Sequence, residues 1–473
     1  MLKYVCISDL HAGALTSLLT DLPDRDPSVA SPVTRAFAAA FGAFLSRTNR
    51  GGKDAPQLIL LGDVFDLQFS DRAAAAASAR TYLSALWETN GLSPDVIATA
   101  GNHDHALWTD ARLALEANAF TVKSPSPEYR SATPAFSEEP GAQSRLLDAV
   151  LTSAGFGRVD LRYPNLGFHN AERAVFLHHG HFIETEYRLI SALKDALSGM
   201  PRTSITAEDL AAENAGWIDF AWSSFGDAAG LGGDAERLYQ NMLTSTGFRR
   251  LSRRWAEKLA DALGGALPMS GNRKVRDVLG LLSEVGMDTT LGRFRDTERY
   301  AEVDALTPGG REGLAWYLGG PGRGQIDAEL KELPQDLAFV FGHTHKPFEA
   351  RLAAPGLPAP VRVYNTGGWT LNGPRLDNAE GAAMVLIDDD LNTASVRLFN
   401  TPRNGKVVPA HVEMLSNGSA GEQHFLEDIR DWLDGSEREW SNLAEIVCSA
   451  YERRQALLLK LTSDAPRRTL KAV

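Results

Sequence analysis

The chain carries eleven histidines, and eight of them fall into four short clusters around His11, His103, His179 and His343. With one further acidic cluster the set reads, in chain order, "SDLHAG" (Asp9, His11), "LGDVFD" (Asp63, Asp66), "AGNHDH" (Asn102, His103, Asp104), "LHHGH" (His178, His179, His181) and "FGHTH" (His343, His345). Taken alone, each has a plain structural reading: Asp-x-His in a turn, Asp63 as a helix cap, "GNH" as a turn. Taken together they form a donor set of imidazole, carboxylate and carboxamide. That mixture suits borderline divalent ions such as Mn²⁺, Fe²⁺, Zn²⁺ or Co²⁺ better than Ca²⁺. A carboxylate in such a set can also bridge two cations.

The segments before these clusters must position them. "LKYVCIS", "PQLILLGD" and "DVIATAGNHD" are short apolar runs ending in polar residues, with helical patterns between them. "SPVTRAFAAAFGAFLSR" places Phe37, Phe41 and Phe44 on one side of a helix begun by Ser31 and Pro32. "DRAAAAASARTYLSALWETNG" reads as a helix with a glycine stop at Gly91. Alternating strands and helices imply α/β layering, with ligands at the carboxyl ends of strands. Residues 124–142 read as a Pro- and Ser-rich loop, followed by the strands "RVDLRYP" and "RAVFLHHGH". From 182 to about 336 the spacing turns helical, including a capped start at "TAED" (206–209). Strands return with "LAFVFGHTH", "VRVYNTGGW" and "AAMVLID…ASVRLF". The expected organisation is a core of 1–181 and 337–400, a helical insertion of 182–336, and a partly helical C-terminal extension of 401–473.

Composition narrows the class. With 473 residues the chain exceeds one ordinary core, and 44% hydrophobic with 23% charged residues is the balance of a soluble globular protein. A net charge of −12 argues against general nucleic-acid binding. Two cysteines give no disulfide framework. No apolar run is long enough for a membrane span. "MLKYVCISDLH" has none of the parts of a signal peptide, so a cytoplasmic location is expected.

The ordered motifs D-x-H, G-D-x-x-D, G-N-H-D, a histidine block and G-H-x-H resemble the calcineurin-like metallophosphoesterase superfamily over residues 1 to about 400, apart from the helical stretch. The resemblance implies a four-layer α-β-β-α sandwich and two divalent metal ions, Mn²⁺ foremost, with Fe²⁺, Zn²⁺, Co²⁺ or Ni²⁺ as substitutes. It implies that Asp9, His11, Asp63 and His345 hold one ion, and Asp63, Asn102, His179 and His343 the other. Asp63 is then the bridge, and a metal-bridging hydroxide attacks phosphorus in line. His103 corresponds to the family's catalytic histidine and Asp66 to the carboxylate that orients it. Asp104 either shares that task or serves the turn. His178 is expected as buried scaffold, and His181 as a contact to substrate or behind the metals.

Within the family the "GDVFD", "HGH" and "GHTH…YNTGGW" forms look most like the bacterial UDP-diacylglucosamine pyrophosphohydrolase branch, whose helical insertion caps the site. Leu67 stands where the serine/threonine protein phosphatases carry arginine, which argues against that branch. Inside the insertion, residues 249–299 hold 11 basic and 7 acidic residues. Arg249, Arg250, Arg253 and Arg254 form either a solvated helix face or an anion-binding cap, since arginine matches phosphate geometry. Three functions follow from the sequence. The first is hydrolysis of a small phosphate or nucleotide-type substrate. The second is a nuclease, and the third a protein-binding scaffold without catalysis.

Overall fold

The computed structural model describes residues 1–21, 26–48, 54–67, 70–121, 131–198, 202, 204–219, 297–301, 303, 305–374, 376–413 and 419–463. It is a mixed α/β structure built on two mixed sheets. The first, of seven strands, has the order β12-β11-β10-β1-β2-β3-β4, and the second, of five, has the order β5-β6-β7-β9-β8. The strands of the first are β1 (Leu2–Ile7), β2 (Gln57–Leu61), β3 (Val96–Thr99), β4 (Val159–Arg162), β10 (Gly381–Asp388), β11 (Thr393–Asn400) and β12 (His411–Glu413). Those of the second are β5 (Asn165–His169), β6 (Arg173–His178), β7 (Asp336–Phe341), β8 (Phe348–Leu352) and β9 (Val361–Asn365).

The two-residue period of the strands decides how the sheets pack. Tyr4 and Cys6 of β1, Ile59 and Leu61 of β2, and Val385 and Ile387 of β10 share one buried cluster with Val175 and Leu177 of β6 and Ala338 and Val340 of β7. The two sheets therefore meet face to face. The alternate residues (Val5, Ile7, Leu58, Leu60, Phe176, Phe339) point the other way, into a second cluster shared with helices. Both faces of the inner strands are buried, which is why they read as continuous apolar runs and not as alternation.

Helix α1 (Pro32–Thr48) buries Phe37, Phe41 and Phe44 as its spacing predicts, with the Ser31 hydroxyl accepting from Thr34 N at 3.0 Å. Helix α2 (Arg72–Trp87) starts on the Asp71 cap and ends four residues before the expected glycine stop. Helices α3 (Ala106–Thr121) and α4 (Arg145–Ala154) follow, neither foreseen from the sequence. The described part of the insertion is helical: α5 (Leu189–Ser198), α6 (Ala207–Ile218) with its Thr206/Asp209 capping box, the short α7 (Thr297–Tyr300), α8 (Pro308–Tyr317) and α9 (Arg323–Glu329). Among the described residues no helix is long and apolar enough to cross a membrane.

The C-terminal extension holds two helices where one was expected. Helix α10 (Ala420–Asp434) has a Ser419/Glu422 capping box and buries Phe425, Ile429 and Leu433, a one-sided stripe overlooked in a Gly- and Ser-containing stretch. Helix α11 (Glu437–Ser463) seats Trp440 against Phe37 and Phe44 of α1, with ring centroids 6.3 and 6.2 Å away. Arg454, itself buried, donates to Ser17 O at 2.8 Å. The extension is thus packed into the core.

Candidate metal centre

Three parallel strands of one sheet and two of the other end at one place. Ile7 lies opposite Leu60 and Leu61 opposite Thr99, so the chain leaves β1, β2 and β3 at the same level. Leu177 lies opposite Val340, which aligns the ends of β6 and β7. The turns are laced together across strands: Asp9 N donates to Gly62 O at 3.1 Å, His11 N to Asp63 O at 2.9 Å and Gly342 N to His179 O at 2.8 Å.

Backbone strain marks the same residues. Eight described residues other than glycine have positive φ, and five of them are Asp9 (52°), His11 (45°), Asp63 (50°), His343 (68°) and His345 (58°). The left-handed region costs an L-residue about 1–2 kcal/mol. Such strain persists where the surroundings enforce it, characteristically at functional sites. The reward is visible in the side chains, which turn off the strand direction and converge.

Close approach explains the glycine before two of the converging residues, Asn102 and His343. A Cβ at Gly342 would lie 2.2 Å from Asp9 Oδ2, and one at Gly101 would lie 2.1 Å from Asp63 Oδ1.

The converging atoms fall into overlapping groups. Asp9, His11 and His345 form one, with His345 Nε2 3.3 Å from Asp9 Oδ1 and the Nε2 atoms of His11 and His345 3.0 Å apart. Asp63, His179 and His343 form another. Asn102 Oδ1 belongs to it, 3.1 Å from His179 Nε2 and 2.9 Å from His343 Nδ1. Asp63 Oδ2 lies 3.2 Å from His179 Nε2 and 3.6 Å from His11 Nε2, between the two groups. A third group, His11, Asp66 and His103, carries the pair His103 Nδ1–Asp66 Oδ1 at 3.3 Å. All of these side chains are buried. So many lone pairs, buried and pointing at one another, are a donor set that fits divalent cations.

Charge follows from burial and crowding. Burial pushes Asp9 up to about 6. Burial opposes ionisation of Asp63 too, but the nearby imidazoles, His179 first, hold it below the carboxylate range. Burial lowers His179, and the Asp63 carboxylate more than offsets that, raising it to about 9. His11 is driven well below its ordinary value by burial and by the charges of His103, His345, Arg299 and His179.

The remaining histidines separate by partner. His178 accepts from Gly180 N at 2.8 Å and packs on Tyr317, as scaffold. His181 is buried beside His179, bonded to Tyr163 Oη at 3.2 Å and packed on Phe182. Asp104 serves the turn: its carboxylate accepts from Gly101 N (2.7 Å), Val64 N (2.8 Å) and Asp63 N (3.2 Å). Arg249, Arg250, Arg253 and Arg254 lie outside the described residues.

Sequence reasoning missed the groups that hold the imidazoles from behind. His179 Nδ1 lies 2.9 Å from Leu61 O, which as acceptor leaves Nε2 for a ligand. His345 Nδ1 lies 2.9 Å from Asn372 Oδ1 and 2.8 Å from Thr370 Oγ1. His343 Nε2 lies 3.2 Å from Glu184 Oε1. Glu184 stands three residues beyond "HGH", and Thr370 and Asn372 stand one and three residues beyond "NTGGW"; that proximity was the only signal. No protein-family model matches the chain, and no curated protein matches it.

Proposed function

We propose that this chain is a metal-dependent phosphoester hydrolase of the calcineurin-like kind, and that its facing sheets with their helices form that superfamily's four-layer sandwich. The observation that carries the reading is the grouping of Asp9, His11 and His345 apart from Asp63, His179, His343 and Asn102, with the Asp63 carboxylate between them. This grouping supports the two ligand sets that the resemblance to the superfamily implies, with Asp63 near both. Two divalent ions, Mn²⁺ foremost, supply positive charge for a phosphoryl group and acidify water when bound there.

The chain's own residues do the rest. Asp66 holds His103 Nδ1, which leaves the buried Nε2 on the other side of the ring, and His103 N is fixed by Asp63 Oδ1 at 2.8 Å. In this reading His103 contacts the phosphoryl group or protonates the leaving oxygen, a task worth roughly 10²–10⁴-fold. Leu61 O, Asn372 and Glu184 fix imidazole orientation, so the ligands need little reorganisation. Burial keeps bulk water from competing for the same donors. The substrate is a small phosphate or nucleotide-type molecule. Mn²⁺-loaded and chelator-treated protein should be compared on p-nitrophenyl phosphate, bis(p-nitrophenyl) phosphate, cyclic nucleotides and nucleoside-diphosphate conjugates. Metal-dependent turnover of at least one is the expected result, and none of the four being hydrolysed would reject the reading.

A further inference from the structure

Residues 298–301, within the insertion, touch the groups behind two different imidazoles. Glu298 N donates to Glu184 Oε1 at 3.1 Å, the same oxygen that lies 3.2 Å from His343 Nε2. Arg299 Nε donates to Asn372 Oδ1 at 2.6 Å, the same oxygen that lies 2.9 Å from His345 Nδ1. Asn372 Nδ2 returns a bond to Arg299 O at 3.3 Å. Lys346, next in chain to His345, is buried and donates its ammonium to Glu298 O at 2.8 Å and to Ala301 O. Glu184, Glu298, Arg299 and Asn372 are themselves buried.

We infer that residues 298–301 are a clamp, with Glu184 and Arg299 as positioning residues that set the rings of His343 and His345. The inference rests on the metal reading above and extends it. Each imidazole can present only one nitrogen to an ion, and a hydrogen bond on the other decides which one and at what angle. Here the two holding groups belong to different ligand sets, yet one short segment is bonded to both. This stretch of the insertion is thereby tied to the metal centre. Coupling of this kind is reciprocal: if the docked segment favours ion binding, bound ions must favour the docked segment by the same factor.

The test uses the full chain and Mn²⁺ alone. Hydrogen exchange of backbone amides in 297–307 is followed with and without the metal, and ion affinities are measured by competition with a chelator. The parent should gain protection in this segment on metal binding. Glu184→Ala should weaken one ion and Arg299→Met the other, each by roughly 10–100-fold. Glu184→Gln keeps an oxygen that can accept from Glu298 N and stand beside His343 Nε2, so it should recover much of the affinity lost in the alanine variant. Should the alanine variant fail to fold, the glutamine variant and the parent's exchange pattern still decide. Two ions bound by the parent without added protection would overturn the clamp and leave the metal reading standing. So would folded Glu184→Ala and Arg299→Met proteins with parental affinities, or a glutamine variant no better than alanine. A parent that binds no ion would remove both.

Discussion

Asp63→Asn isolates the charge of one carboxylate. Asparagine tolerates the left-handed backbone that Asp63 adopts at φ 50°, and its carbonyl oxygen can still accept from His103 N. What disappears is a negative charge 3.2 Å from His179 Nε2 and 3.6 Å from His11 Nε2. At an effective dielectric of 20, two unit charges about 3.2 Å apart interact by about 5 kcal/mol. Asparagine retains a neutral oxygen donor, so roughly half of that, about 2.5–3 kcal/mol, is the sensible loss for an ion touching this group, or about 100-fold in Kd. Because Asp63 lies between both groups, both ions should weaken. The assay is chelator competition monitored by metal content after gel filtration, with circular dichroism as a check on folding. In the metal-free variant the His179 imidazole should also titrate well below about 9, since Asp63 is the largest influence raising it. A folded variant that binds both ions as tightly as the parent would refute the bridging role.

His103→Ala should keep the metals and slow turnover by roughly 10²–10⁴-fold, less for p-nitrophenyl esters than for alkyl esters because a good leaving group needs no proton; kcat on the two ester types checks this. Gly342→Ala places a Cβ 2.2 Å from Asp9 Oδ2 and 2.3 Å from Ser8 Oγ, so Asp9 must move; weaker metal binding and a lower Tm are expected in thermal scans. With His179 raised to about 9, the metal-free site is protonated at pH 7, and ion binding should release at least one proton, read by calorimetry in buffers of different ionisation enthalpy. A raised histidine stabilises the fold fully below its unfolded value of 6.5, and that contribution fades as pH rises through about 9. Chelator-treated protein should therefore lose thermal stability between those pH values.

The converging side chains were legible because each cluster follows an apolar run and carries unmistakable donor chemistry. The division of Asp9, Asp63, Asn102, His179 and His343 into two sets came from the resemblance to the superfamily, not from the residues alone. The strands buried on both faces were legible for the same reason, since that burial leaves nearly unbroken apolar stretches, whereas the partly exposed β5, β8 and β12 were not foreseen. What stayed hidden depends on tertiary contact. Glu184, Asn372 and Arg299 are ordinary residues in the sequence, and they become informative only when the fold brings 184, 299 and 372 to the backs of His343 and His345. Helix α10 was overlooked because Gly, Ser and Asn just before it drew attention away from the Phe425, Ile429, Leu433 spacing. Asp104 could not be placed from sequence, because its backbone partners at Asp63 and Val64 lie about forty residues away.

The central claim is that two ions, held by two ligand groups sharing Asp63, hydrolyse a phosphoester together. Its most direct test is the initial rate of bis(p-nitrophenyl) phosphate hydrolysis by chelator-treated protein as Mn²⁺ is added, with bound metal measured in the same samples. The rate should stay low until the second ion binds and level off at two ions per chain. Full activity with no bound metal, or a chain that never takes up more than one ion, would contradict the account.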